Sequence, residues 1–197
     1  MRRITLALLL ALVLLALAGC GAVELKGTTL EPANPAHDFT LTDEQGQPFT
    51  LSEQRGKVVV LFFGFTSCPD ICPAELSNLA AATRQLGDAA GDVQVALVTL
   101  DPERDTSERL ATYVTAFDPG FKGLRADAKA ALDPITTAYG VFYEKRELSG
   151  SALGYTIDHS GYVYVIDKAG RWREVLAHGT PVDDIVADLR ALARERV

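Results

Sequence analysis

Residues Phe63 to Pro73 read Phe-Gly-Phe-Thr-Ser-Cys-Pro-Asp-Ile-Cys-Pro, and what flanks them decides the fold. On the N-terminal side lies the apolar run Val58-Val59-Val60-Leu61-Phe62-Phe63. Such a run, free of alternation, predicts a strand buried on both faces. It stops at Gly64. On the other side Leu76, Leu79, Ala80, Thr83 and Leu86 recur at helical spacing, which predicts a helix ending near Gly87. Pro73 suits the first turn of that helix, where a missing N–H costs nothing. Cys68 and Cys72 therefore fall between the end of a central strand and the start of a helix.

That position has chemical consequences. A helix N-terminus carries partial positive charge and unpaired N–H groups. Both favour a thiolate, so Cys72 above all, and Cys68 with it, is expected to have a lowered pKa. A thiolate is the nucleophile of disulfide exchange and a soft ligand for copper(I) or zinc. If the loop curls into the helix start, the four-residue spacing brings both sulfurs to one face. The pair can then clasp one ion or close a small disulfide. Two buried structural thiols are the alternative, against which stand the two prolines and the Asp in the loop.

The chain has 197 residues and is 48% hydrophobic, which suits one globular domain. Its N-terminus is different. Arg2 and Arg3 precede an apolar stretch from Ile4 to Ala18, too short for a membrane span and shaped like a signal peptide. It ends Leu17-Ala18-Gly19-Cys20, which resembles a bacterial lipobox. The resemblance implies cleavage before Cys20 and lipidation of that cysteine, giving a signal peptide over 1–19 and an extracytoplasmic, membrane-associated lipoprotein. Without Arg2 and Arg3 the 19 basic residues fall to 17 against 26 acidic ones, a net charge of −9. An acidic surface argues against nucleic acid and against a polybasic membrane patch; lipid, not charge, is expected to hold the protein to the membrane.

Residues 20–36 contain prolines and little periodicity and read as a lipidated N-terminus and tether, with the folded domain over 37–197. Phe39 and Leu41, the turn Asp43-Glu44-Gln45-Gly46, then Phe49 and Leu51 predict a β-hairpin. Val93 to Leu100 reads as a second buried, parallel strand. Asp105 followed by Glu108 resembles a capping box that opens a helix through about Phe117. Phe121 to Arg125 predicts a short strand, and Ala128 to Tyr139 a helix interrupted by Pro134. Alternation through Val141, Tyr143 and Lys145, then Tyr162 to Ile166 and Arg171 to Leu176, supplies further strands. Ile185, Leu189 and Leu192 mark the inner face of a closing amphipathic helix over Pro181 to Arg194. The order is that of an α/β fold with a central mixed sheet.

Four stretches together resemble the Sco/SenC family of thioredoxin-fold copper proteins. They are Gly64-Phe65-Thr66-Ser67-Cys68-Pro69-Asp70-Ile71-Cys72-Pro73, Asp101-Pro102-Glu103-Arg104-Asp105-Thr106, Tyr139-Gly140-Val141-Phe142-Tyr143 and Asp158-His159-Ser160. The resemblance implies a thioredoxin-like domain that binds one copper ion, as Cu(I) or Cu(II), and helps load copper into cytochrome c oxidase. It carries the ligands over as Cys68, Cys72 and His159. The donor set agrees with that cargo, since two thiolates and an imidazole suit copper(I) and the imidazole helps hold copper(II). His159 is expected in an exposed loop ahead of the Tyr162 strand, with Asp158 beside it to orient the imidazole. His37 and His178 read as surface residues. Asp101 and Asp105 read as strand end and helix cap, and Tyr139, Phe142 and Tyr143 as core.

Two functions compete. One is a copper chaperone serving the copper-bearing subunit of cytochrome c oxidase or another extracytoplasmic copper protein. The other is a thiol-disulfide oxidoreductase that keeps such a protein's cysteines reduced through Cys68 and Cys72. Peroxidase chemistry is disfavoured: its nucleophile typically follows Pro-x-x-x-Thr-x-x-Cys, whereas Leu61 stands seven before Cys68 and Thr66 only two before it.

Overall fold

The computed structural model describes residues 24–196; the signal peptide expected over 1–19 and Cys20 lie outside them. The chain runs through β1 (Thr28–Pro35), the hairpin β2 (Thr40–Thr42) and β3 (Pro48–Thr50), β4 (Val58–Gly64), α1 (Ile71–Leu86) and β5 (Val93–Thr99). It continues through α2 (Ser107–Thr115), β6 (Lys122–Leu124), α3 (Lys129–Ala138), the hairpin β7 (Tyr143–Glu147) and β8 (Tyr155–His159), β9 (Val163–Ile166), β10 (Arg171–Leu176) and α4 (Val182–Arg194). Six strands form one mixed sheet in the order β1-β10-β9-β4-β5-β6.

Strand β4 is central because it is apolar on both faces, and all seven of its residues are buried. It pairs in parallel with β5 and antiparallel with β9. The strand-to-strand crossover through α1 lays that helix on one face, where it packs against α4. Ile185, Leu189 and Leu192 of α4 are fully buried, as their spacing predicts. Gly87, with φ +61°, ends α1 in the left-handed region that a residue with a Cβ adopts at a cost. The mixed α/β sheet expected from the sequence is therefore present. Among the described residues no helix is long and apolar enough to cross a membrane.

Three expectations need correction. The stretch read as tether over 20–36 is in large part sheet: Thr28–Pro35 pairs antiparallel with β10, with the register shifting between Thr29 and Asn34. It is an edge strand, so most of its side chains are exposed and its prolines are tolerated where the N–H side is free. Helix α2 is capped not by Asp105 but by Thr106, whose side chain accepts from Arg109 N. His159 lies not in a loop but at the end of β8, paired with Tyr143 of β7.

The start of the chain's described part is also tied down. Lys26 N and Gly27 N donate to the Asp188 carboxylate of α4. Beside it sits Glu174 of β10, fully buried, with neither carboxyl oxygen in a hydrogen bond among the described residues. A Cβ on Gly27 would meet Glu174 Oε2 at 2.6 Å, so only glycine lets the backbone pass this close.

Candidate metal centre

Three elements converge where β4 ends. Gly64 closes the strand, and a Cβ built there would stand 2.7 Å from Cys72 Sγ, so the sulfur rests on bare backbone. The helix begins earlier than Pro73 suggests, at Ile71, and Cys72 is its second residue. Cys72 is fully buried and Cys68, in the loop before it, is half-buried; both are free thiols. His159 arrives from the β7–β8 hairpin and packs edge-on against Phe62 and Phe65, at centroid distances of 6.3 and 5.8 Å.

The ligand atoms of Cys68, Cys72 and His159 all lie within 4.8 Å of one another. Cys72 Sγ is 3.5 Å from His159 Nε2. Donors bound to one soft cation at roughly 2.0–2.3 Å stand about 3.5–4 Å apart, so small side-chain shifts suffice to close this set on an ion. The imidazole is already oriented. Its Nδ1 lies 2.9 Å from the Ser160 carbonyl, which can only accept, so Nδ1 carries a proton and donates, and Nε2 faces the sulfurs.

The charge falls on the opposite cysteine from that expected. The Cys68 thiol is drawn down to about 4, chiefly by a hydrogen bond from the Cys72 thiol, with further help from His159 and the amides of Asp70 and Cys72. Cys72 is pushed far above the ordinary thiol range by its bond to Cys68 and by burial. The reason is geometric: Cys72 is turned into the core, where it stays protonated and donates to the half-buried Cys68 sulfur, which the Cys72 amide also meets at 3.4 Å. The resting pair is thus a half-exposed thiolate and a buried thiol sharing one proton.

The surrounding loops are fastened by buried carboxylates. Asp105, fully buried, accepts from Thr66 N, Thr66 Oγ1 and Thr99 Oγ1, fixing the loop two residues before Cys68. Arg109 adds bonds to Thr66 Oγ1 and Ser67 Oγ. Asp101 accepts from Arg104 Nε and from the Tyr155 hydroxyl, and Arg104 also reaches the carbonyls of Leu153 and Tyr155. This holds the hairpin that carries His159.

Asp158 is not brought to the imidazole. Adjacent residues of a strand face opposite ways, and its carboxylate accepts from Arg146, whose charge keeps it below the usual range. The Ser160 carbonyl takes the orienting role instead. Phe142 is not core but 61% exposed, whereas Tyr139 is buried and donates to the His37 carbonyl. Sequence reading passed over Glu75, which is fully buried on α1 and bonded to His178. The signal was there: a carboxylate three residues after Cys72 on the face that Leu76 and Leu79 bury.

A sequence model of the SCO1/SenC family matches residues 27–194. The chain belongs to the SCO1/SenC family. An SCO2-like protein of Rickettsia prowazekii is 37% identical over 134 residues, covering 68% of this chain and 65% of that one. The chain thus spans less than two thirds of that relative's length. The apo Sco1 protein of Thermus thermophilus is 39% identical, with a TM-score of 0.76 over 88% of this chain and 99% of that one. ScoI of Bradyrhizobium japonicum, solved with copper bound, is 32% identical, with a TM-score of 0.72 over 80% and 99%. The mixed sheet and its flanking helices are therefore the thioredoxin-like fold of this SCO1/SenC family.

Proposed function

We propose that this protein is an extracytoplasmic copper carrier that takes one copper ion on Cys68 Sγ, Cys72 Sγ and His159 Nε2 and passes it to another copper protein, the copper-bearing subunit of cytochrome c oxidase foremost. The convergence of these three donors at the end of β4 carries the reading. The copper-bound state of the Bradyrhizobium relative supports it. So does the donor set, soft enough for copper(I) and low in coordination number, which lets an incoming ligand displace one donor at a time. The test is a copper(I) titration of the reduced full-length chain against a chelator; one tightly held equivalent is expected, and none would refute the assignment.

His159 gives the finer test. Copper(I) persists on two thiolates, whereas copper(II) favours imidazole nitrogen. Replacing His159 by Ala should cost copper(II) about a hundredfold or more in affinity and copper(I) only about tenfold or less. The sulfur-to-copper(II) absorption should shift or vanish. Unchanged copper(II) spectra and affinity in H159A would remove His159 from the ligand set.

The cysteine pair also favours a second reading as a thiol-disulfide reductase. A half-exposed thiolate at Cys68 beside a buried Cys72 is the arrangement of an attacking and a resolving thiol. Reduction of a model disulfide that survives in H159A separates this activity from copper carriage.

For the N-terminus we propose the layout implied by the lipobox, with the tether shortened: signal peptide over 1–19, a lipid on Cys20, and a short link that ends by Leu25, which is buried, with Lys26 and Gly27 bound to Asp188. Cys20→Ser should release the protein from the membrane fraction. Retention of an uncleaved chain there would mean that the signal itself is the anchor.

A further inference from the structure

The residues that fix His159 do not stop at Ser160. The link from β8 to β9 is Ser160-Gly161-Tyr162, and Gly161 is caught between two side chains. A Cβ there would come within 3.2 Å of Ile71 Cγ2, at the start of α1, and 3.3 Å of His178 Cβ, in the loop after β10. His178 has an exposed side chain, but it is not free. Its Nδ1 stands 2.9 Å from Oε2 of Glu75, whose carboxylate is fully buried one turn along α1 from Cys72. The other Glu75 oxygen is buried and has no partner among the described residues. A carboxylate withdrawn from water at such cost needs a reason beyond packing. Here it ties the helix that presents Cys72 to the side chain that backs the turn after His159.

Resting on the reading of this centre as a copper site, we propose that His178, anchored by Glu75, is a positioning residue: it presses the Ser160–Gly161 turn against the first turn of α1 and so sets the approach of His159 Nε2 to Cys72 Sγ. The contact between those two side chains, at 3.5 Å, is a sulfur hydrogen bond, too weak to position the hairpin on its own. The hairpin that carries His159 is outside the main sheet, so its last residue needs a stop on this side. Ile71, Gly161 and His178 form that stop. Removing the His178 ring takes away the backing and strands a buried carboxylate at the same time.

The experiment compares wild type, His178→Ala and His178→Asn in the full-length protein, with a thermal melt to establish that each is folded. The Asn amide nitrogen occupies the place of Nδ1 and can still donate to Glu75. The first measurement is made without metal: the NMR shifts of the His159 ring and its contacts to the Phe62 and Phe65 rings. These should change in H178A and return in H178N. The second is made with copper. H178A should lose about tenfold in copper(II) affinity with a displaced charge-transfer band, change copper(I) affinity by no more than about threefold, and be restored by H178N. His159 shifts that are the same in all three proteins would overturn the proposal, as would equal losses of both copper valences in H178A. Absence of copper binding in wild type, with His159 shifts that still respond to H178A, would defeat the copper reading and leave the positioning role standing.

Discussion

Oxidised protein, with Cys68 and Cys72 joined, should hold copper(I) at least about a thousandfold more weakly than reduced protein, a loss of about 4 kcal/mol or more. The two sulfurs already lie within 4.8 Å of each other, and both thiols are free. An oxidant such as diamide takes two electrons; Cys68 supplies the thiolate, Cys72 gives up its proton, and one S–S bond forms. Both soft donors are then consumed, leaving His159 as the strong ligand. Mass spectrometry should find two hydrogens lost within the peptide that spans both cysteines, and chelator competition should report the weakened binding. Copper(I) affinity that survives complete oxidation would mean that the ion does not sit on these sulfurs. Reduction should restore binding fully, because the disulfide closes a four-residue step and demands little of the sheet behind it.

The second large effect concerns stability, where β10 meets α4. Burial, and then the charge of Asp188, push the Glu174 carboxyl up to about 8. Its folded pKa is thus above its unfolded value near 4.5. The sign follows: the folded state binds the extra proton, so the stability this group lends is complete below about pH 4.5 and is lost as pH rises toward about 8. The total is roughly 3–5 kcal/mol. Glu174→Gln keeps the shape without the charge, so it should match wild type near pH 5 and melt markedly higher at pH 8–9. Asp38, Asp43 and Asp167 have lowered values and act in the opposite direction, lending stability that is lost on acidification. They are common to both proteins, so the difference between the two curves isolates Glu174. Parallel curves from pH 5 to 9 would show that the carboxyl ionises no differently when folded.

What was legible in the sequence was whatever burial writes locally. Val58–Phe63 and Val93–Leu100 have to be central strands because nothing else accommodates such runs, and the cysteines are placed by the strand on one side and the helix on the other. Less visible was anything decided by a distant partner. Strand β1 has few buried side chains, so its membership of the sheet rests on backbone bonds to β10 that leave no pattern in its own residues. Asp105 and Thr106 are both plausible caps; the three donors waiting for Asp105 on β5 and the Cys68 loop decide between them. The division of charge between Cys68 and Cys72 turns on which sulfur is turned into the core and which accepts the other's hydrogen bond, a matter of ångströms. Phe142 has the composition of core, yet it caps an outlying hairpin with no layer above it.

On the proposed reading as a lipid-anchored copper carrier, the pairing of β1 bears on where copper can be exchanged. Thr28 is level with Val175, Val175 with Tyr164, and Tyr164 with Leu61, three residues short of Gly64. The chain therefore joins the domain at the same end of the sheet as the metal centre, three strand spacings across, or about 14 Å. From Cys20 to Lys26, where Asp188 takes hold, six residues reach at most about 21 Å. With a lipid on Cys20, that short leash confines the centre to a thin layer over the bilayer. Encounters with a copper acceptor then become a search in two dimensions, and proteins whose own copper ligands stand far above the membrane are out of range.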